Sequence, residues 1–275
     1  KERLNHMGEI LVALNEESVR NIVPLVREND IEAIAVGLIH AYANGEHEKR
    51  VAEILSNALP GISISLSSEV CPEIREYERQ STTCANAYVQ PKMSRYLLQL
   101  NKELHDLGLD CPFFLMTSGG GLTTLETATK YPVRLIESGP AGGAILASQI
   151  ARECKVENVV SYDMGGTTAK ICLIDGYEPQ STRTFEVARV YRNLKGSGLP
   201  VRIPAIEMVE IGAGGGSIAH VDAMGRINVG PESAQADPGP ACYNQGGEEP
   251  TVTDADVVLG KIDPERFAGG RVDLV

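Results

Sequence analysis

An α/β fold whose second half is rich in β-hairpins is predicted from three features of the 275-residue sequence. Up to about Lys155, short apolar runs alternate with segments of helical periodicity. Beyond it, β-like runs are separated by glycine turns in place of helices. Hydrophobic residues make up 43% of the chain, enough for a packed core. The length allows one large domain or two of ordinary size, and the change of texture marks a boundary between 1–155 and 156–275.

In order, residues 10–14 read as a short strand, and Asn15 is placed to cap a helix carrying Val19, Ile22, Val23 and Val26 on one face. Pro24 inside that run predicts a kink or break. Residues 31–39 are almost wholly apolar, as in a strand buried on both faces. A helix over 46–59 stops at Pro60-Gly61, and 62–66 alternates apolar with serine as a half-polar strand. A long helical stretch over 72–107 is interrupted at Pro91. Buried strands follow at 113–116 and 133–137, and Ser138 opens a helix ending near Ala151. Strands at 158–163 and 170–174 flank Gly165-Gly166. Further β-segments are expected at 183–190, 201–203, 206–211 and 217–221, then one good helix over 253–259.

The net charge is −12, and from Val201 onward 12 acidic residues stand against 5 basic ones. That balance argues against nucleic acid or an anionic membrane as partner. No apolar run approaches the ~20 residues needed to span a bilayer, and residues 1–6 lead into mixed polar sequence without a signal-peptide pattern. The six cysteines include no C-x-x-C pair and no zinc-ligand spacing. Cys154 and Cys172 sit among apolar neighbours as reduced core thiols, so a reducing cytoplasm is expected. The chain begins without methionine and reads as starting within a fold.

Three glycine turns carry the chemistry. Asp163-Met-Gly-Gly-Thr-Thr168 lies between two strands. Gly165 and Gly166 permit a tight turn and close approach of a phosphate to backbone N–H groups, while Thr167 and Thr168 add hydroxyl donors. Asp163, ending its strand, is placed to hold Mg²⁺ directly or through water. A plain hairpin would also favour Gly-Gly, but the flanking Asp and Thr residues favour phosphate. Glycine, lysine and Ser/Thr are not arranged as in a Walker A loop. Glu210-Ile-Gly-Ala-Gly-Gly-Gly-Ser217 fails as a dinucleotide fingerprint, because Ser217 replaces the third glycine and a strand follows. Its glycines (Gly212, Gly214, Gly215, Gly216) with Ser217 either expose N–H groups to an anion or form a structural corner. Gly139, Gly142 and Gly143 open a helix, where free N–H groups and the dipole attract anions and small residues also allow close packing. His220 and Asp222 share a strand face, read as solvated. Asp254 and Asp256 are read as serving the cap and dipole of the last helix, and Asp237 as making an Asx turn.

Together Ser138-Gly-Pro-Ala-Gly-Gly143, the 163–167 turn, the 210–217 run and Val229-Gly-Pro-Glu-Ser-Ala-Gln-Ala-Asp-Pro-Gly-Pro-Ala-Cys-Tyr243 resemble the hydantoinase A / 5-oxoprolinase family. Pro250-Thr-Val-Thr-Asp-Ala-Asp256, Glu76-Tyr-Glu-Arg79 and Asn86-Ala-Tyr88 agree, so the resemblance spans essentially the whole chain. It implies an actin-like, ribonuclease H-like ATPase fold with a mixed sheet and flanking helices. Residues 1–155 would be the later part of the first domain plus a helical connection, and 156–275 an incomplete second domain. It implies ATP-dependent opening of a cyclic amide (hydantoin, N-methylhydantoin or 5-oxoproline). A related activity is ATP-dependent ketone carboxylation, and a hydantoinase B-type subunit is the expected partner. A nucleotide-binding regulatory or assembly subunit is the alternative outside catalysis.

On this reading Asp163 holds Mg²⁺ or Mn²⁺ and sets the phosphoryl-transfer geometry with Thr167. Gly165, Gly166 and Thr168 bind phosphate, 214–217 cover the nucleotide, and the 138–143 helix start is a third anion site. The sequence departs from the family in two ways. It has no earlier Asp-x-Gly-Gly-Thr turn, which is expected upstream of Lys1. Ala169-Lys170 also replaces a final Thr-Asp, leaving Lys170 either as a phosphate cation or as an exposed strand residue.

Overall fold

The computed structural model describes residues 1–188, 190, 196–272 and 274–275. The chain forms two compact units, Lys1–Gly142 with Ser181–Ile206, and Gly143–Gln180 with Glu207–Val275. The division falls before Lys155 because helix 138–154 leaves the first unit and continues into the second. The 181–206 segment then returns to the first unit, which the linear texture of the sequence did not show.

The first unit opens with β1 (Arg3–Leu4) and β2 (Ile10–Val12), followed by α1 (Glu16–Arg20) and α2 (Val23–Glu28). As expected, Asn15 caps α1, its side chain accepting from the Ser18 amide, and the helix breaks where Pro24 enters the first turn of α2. β3 (Ala33–Val36) pairs in parallel with β4 (Ser63–Leu66), linked through α3 (Glu46–Ala58). Val51, Ile54 and Leu55 of α3 pack with Val19, Val36, Leu59 and Leu66 as the core of this region.

A buried polar network ties α3 to the 67–79 segment. Glu48 is fully buried; its carboxylate accepts from the Leu38 amide at 2.8 Å, Ser67 Oγ at 2.6 Å and the Ser68 amide at 2.8 Å. Arg79, equally buried, donates to Ser67 Oγ and to the Glu73 and Leu38 carbonyls. Removing one member leaves the others desolvated and unpaired, so Glu48→Ala is expected to cost about 3 kcal/mol, measured by urea unfolding.

After the single-turn α4 (Ser67–Val70), α5 runs unbroken over Glu76–Asp106 with Pro91 inside it. The expected interruption does not occur, for a tertiary reason. Asn86 and Gln90 before the proline, and Ser94 after it, all donate to the Thr129 or Lys130 carbonyls and hold one helix axis. β5 (Phe114–Met116) and β6 (Leu122–Thr124) form a hairpin, and Phe114 is 53% exposed, so this strand is not buried as predicted. After α6 (Leu125–Lys130) the predicted strand over 133–137 is instead a 3₁₀ turn, Pro132–Leu135. Pro132 fixes its first residue, the Val133 amide donates to Asn86 Oδ1, and Val133 is completely buried. Burial within a turn produced the apolar run that reads as a strand.

α7 (Ser138–Cys154) carries the chain into the second unit. There β7 (Val159–Met164), β8 (Ala169–Asp175) and β9 (Glu178–Pro179) belong to an antiparallel sheet. The return to the first unit adds β10 (Ser181–Thr182) paired with β13 (Ala205–Ile206), and β11 (Phe185–Val187) paired with β12 (Leu199–Val201). The expected 183–190 segment includes Arg189, which lies outside the described residues. β14 (Val209–Ile211) completes the sheet in the order β14-β8-β7, with β9 on β8. The hairpin β15 (Ser217–Val221) and β16 (Ile227–Ser233) and helix α8 (Val252–Val258) follow. Among the described residues parallel and antiparallel pairing occur in separate sheets, so the mixed sheet expected from the sequence is not formed. No described helix is long and apolar enough to cross a membrane.

Candidate nucleotide phosphate site

Strands β7 and β8 pair in strict register up to their turn, with Asp163 opposite Lys170 and Met164 opposite Ala169. The Gly165 amide donates to the Thr168 carbonyl at 2.9 Å and closes the turn. The next three amides, of Gly166, Thr167 and Thr168, donate to no protein acceptor among the described residues. The Thr167 and Thr168 hydroxyls likewise have no protein partner there. A Cβ built on Gly166 would meet nothing within 4 Å. Consecutive N–H groups without protein acceptors can form a cradle for an anion, with open space at Gly166, and Asp163 stands exposed near the strand end beside the turn. The arrangement fits a terminal phosphate with its metal, since Mg²⁺ is usually held by one or two carboxylates plus phosphate oxygens. No described group of three His, Cys, Asp or Glu residues could hold a metal on its own.

The second glycine run meets the first, but not as a row of donors. The Gly215 amide donates to the Gly165 carbonyl at 2.9 Å and the Gly216 amide to the Gly166 carbonyl at 2.7 Å. The Gly214 amide donates to Ser217 Oγ, and the Ser217 amide to the Gly214 carbonyl. Ser217 is 1% exposed. The amides of 214–217, expected to face the nucleotide, are therefore spent on the 165–166 turn and on each other. Glycine is required there by backbone contact. A Cβ on Gly214 would lie 2.6 Å from Gly166 C and Thr167 N and 2.7 Å from Gly165 O. Gly212, next after β14, leads into this loop. Gly139, Gly142 and Gly143 form the first turns of α7, where the chain passes from the first unit to the second.

Sequence reasoning missed Thr253, whose amide donates to the Gly215 carbonyl at 2.8 Å and whose hydroxyl fills the space a Gly215 side chain would need. The available signal was its place in the 250–256 motif. Asp254 is the cap expected of it: its carboxylate accepts from the Thr251 amide and hydroxyl in a reciprocal capping box, and from the Cys242 amide. Asp222 also has a structural task. It accepts from the Met224 and Arg226 amides, the Arg226 guanidinium and Asn228, and the Arg226 contacts foremost hold its carboxyl below the usual range. His220 is exposed on the hairpin, as the solvated reading has it.

Burial, with Asp254 adding to it, pushes the Cys242 thiol from 9.0 up to about 12. The unfolded thiol loses its proton first, so this group's contribution is complete below pH 9.0 and is lost as pH rises towards about 12. Cys71 and Cys172 are also buried, whereas Cys84, Cys111 and Cys154 are exposed, which corrects the core placement of Cys154. Iodoacetamide at pH 8 is expected to label Cys84, Cys111 and Cys154 and spare the other three, as read by peptide mass mapping.

A two-glycine turn beside an exposed strand-end carboxylate, latched by a second glycine loop, is the feature that marks this α/β protein. Residues 79–274 match the family described as hydantoinase/oxoprolinase, and residues 1–59 match its N-terminal region. The chain belongs to the hydantoinase/oxoprolinase family. It is 41% identical over 277 residues to an uncharacterized protein of Methanocaldococcus jannaschii, covering all of this chain and 41% of that one. To the caprolactamase subunit alpha of Pseudomonas jessenii it is 37% identical over 267 residues, 97% of this chain and 37% of the relative. The solved structure of that ATP-dependent caprolactamase is similar over 100% of this chain and 38% of its own, with a TM-score of 0.75 and 35% identity. Nucleotide-free acetone carboxylase, from work on ATP-dependent acetone carboxylation, gives 0.76 at 28% identity over 99% and 38% of the two chains. The chain thus spans about two fifths of the length of these relatives.

Proposed function

We propose that this chain supplies one half of the nucleotide site of an ATP-dependent cyclic amidase with an actin-like, ribonuclease H-like ATPase fold. One observation carries the reading: the three successive amides of 166–168 donate to no described protein acceptor, in a turn next to Asp163 with open space at Gly166. The ATP-dependent relatives support it.

Resonance deactivates an amide carbonyl towards water. Transfer of the γ-phosphoryl group of ATP to the amide oxygen releases ADP and leaves a phosphorylated imidate. Water then adds to its carbon, the protonated ring nitrogen leaves as the C–N bond breaks, and a second water cleaves the resulting acyl phosphate to carboxylate and phosphate. Such a transfer needs positioning and charge neutralisation more than covalent help from the protein. The amides of Gly166, Thr167 and Thr168 would bind phosphate oxygens, with Gly165 setting the turn and the Thr167 hydroxyl beside the transferred group. Asp163 would hold Mg²⁺ or Mn²⁺, whose charge offsets that of the phosphates. Gly214, Gly215, Gly216 and Ser217 act by fixing the turn, and Gly212 leads into their loop. A hydantoinase B-type subunit is the partner in this reading, supported by the subunit naming of the caprolactamase relative. Six free cysteines fit a reducing cytoplasm.

The likeness to acetone carboxylase favours a second reading, in which the same nucleotide machinery drives ketone carboxylation. Phosphate release by the intact enzyme with its partner separates the two. Stimulation by hydantoin, a lactam or 5-oxoproline supports the amidase, and stimulation only by ketone with bicarbonate supports the carboxylase. Nucleotide binding with no substrate-stimulated hydrolysis would mark a regulatory subunit and overturn both.

A further inference from the structure

Within the second unit, the peptide planes of the two glycine runs line up as two relays that end on the 165–168 turn. In a trans peptide the C=O of one residue and the N–H of the next share a plane and point in opposite directions. The first relay starts at the Thr253 amide, which donates to the Gly215 carbonyl at 2.8 Å. On the far side of that peptide the Gly216 N–H donates to the Gly166 carbonyl at 2.7 Å. The far side of the Gly166 carbonyl's own peptide is the Thr167 N–H, which meets no described protein acceptor. The second relay starts at the Ser217 amide, which donates to the Gly214 carbonyl at 3.0 Å. The Gly215 N–H of that peptide donates to the Gly165 carbonyl at 2.9 Å. Its last member is the Gly166 N–H, again without a described protein acceptor, at a residue where a Cβ would meet nothing within 4 Å. The head of the first relay is firmly held. Thr253 is 6% exposed, Thr251 pairs with Ile218 of β15, and the Thr251–Asp254 capping box fixes the turn between them.

We propose that Thr253 and Ser217 are positioning residues for phosphate, acting through these peptide planes on the N–H groups of Thr167 and Gly166. This rests on the reading of 163–168 as the ATP phosphate site. A hydrogen bond accepted at a carbonyl polarises the N–H of the same peptide, so each relay makes its last N–H a stronger donor. It also fixes the plane of that peptide, and with it the direction in which the N–H points. The ligand this suits is an anionic group whose oxygens accept from successive amides, as phosphate does. The glycine loop and the first turn of α8 thus serve the phosphate without touching it.

The test replaces one backbone amide at a time by an ester, using the matching α-hydroxy acid, in the intact enzyme with its partner subunit. Binding of MgATP and of adenosine is measured for each variant. An ester at Thr253 or at Ser217 removes the N–H that heads a relay and keeps the side chain. Either is expected to weaken MgATP binding on the order of threefold and to leave adenosine affinity unchanged. An ester at Ala255 makes the comparison. Its amide donates to the Thr251 carbonyl within the same helix and lies on neither relay, so MgATP affinity should stay at the parent value. Unchanged MgATP affinity in the Thr253 and Ser217 esters, or an equal loss in the Ala255 ester, would overturn the relays and leave the phosphate site standing. A parallel loss of adenosine affinity, the mark of general loosening, would overturn them too. If the Thr253 ester does not fold, the Ser217 ester decides by the same outcomes. A parent enzyme that binds no MgATP would remove the site and the relays together.

Discussion

Asp163→Ala in the intact enzyme is expected to lower substrate-dependent ATP hydrolysis on the order of 10²- to 10³-fold, as loss of a single group stabilising transferred charge does elsewhere. The residue is exposed at the end of β7 and joins no core. Its removal should leave the thermal midpoint within a degree or two, about the effect of an ordinary surface change. The pairing of these readouts matters, because a large activity loss with an unmoved midpoint assigns Asp163 to the chemistry. Normal substrate-dependent hydrolysis in this variant would remove Asp163 from the metal and phosphoryl-transfer role.

Gly214→Ala is expected to have the second large effect, by a different route. Its new methyl would sit 2.6 Å from Gly166 C and Thr167 N and 2.7 Å from Gly165 O, all backbone atoms. No side chain can swing aside, so either the turn or its latch must move. Either movement strains the bonds from Gly215 and Gly216 to the 165–166 carbonyls. The overpacking and the weakened bonds should together cost about 3 kcal/mol in urea unfolding, with MgATP affinity lost in parallel. Gly166→Ala makes the contrast. Its methyl meets nothing within 4 Å, so stability should hold while the methyl occupies the space assigned to phosphate and weakens MgATP binding. Equal stability of the two variants would contradict the division of labour between the glycine runs.

Much of this was legible in the sequence where the cause is local. The Asn15 cap, the break at Pro24, helix α3 ending at Pro60 and the capping role of Asp254 each depend on residues within a turn of one another. The Gly165-Gly166 turn between two strands was legible for the same reason. Features decided by distant partners were not. Pro91 sits in an unbroken helix because carbonyls nearly forty residues away hold both sides of it. Val133 is buried in a 3₁₀ turn because Asn86 takes its amide. The 214–217 glycines looked like open donors because their acceptors, Gly165 and Gly166, lie some fifty residues earlier.

The central claim is that the 166–168 amides, beside Asp163, receive phosphate. It is tested most directly by the structure of the intact enzyme with a non-hydrolysable MgATP analogue. The account predicts a terminal phosphate oxygen within about 3 Å of the Gly166, Thr167 or Thr168 amide nitrogens, with the divalent ion reached by Asp163 directly or through one water. A well-ordered nucleotide whose phosphates lie elsewhere, with those three amides still solvated, would contradict it.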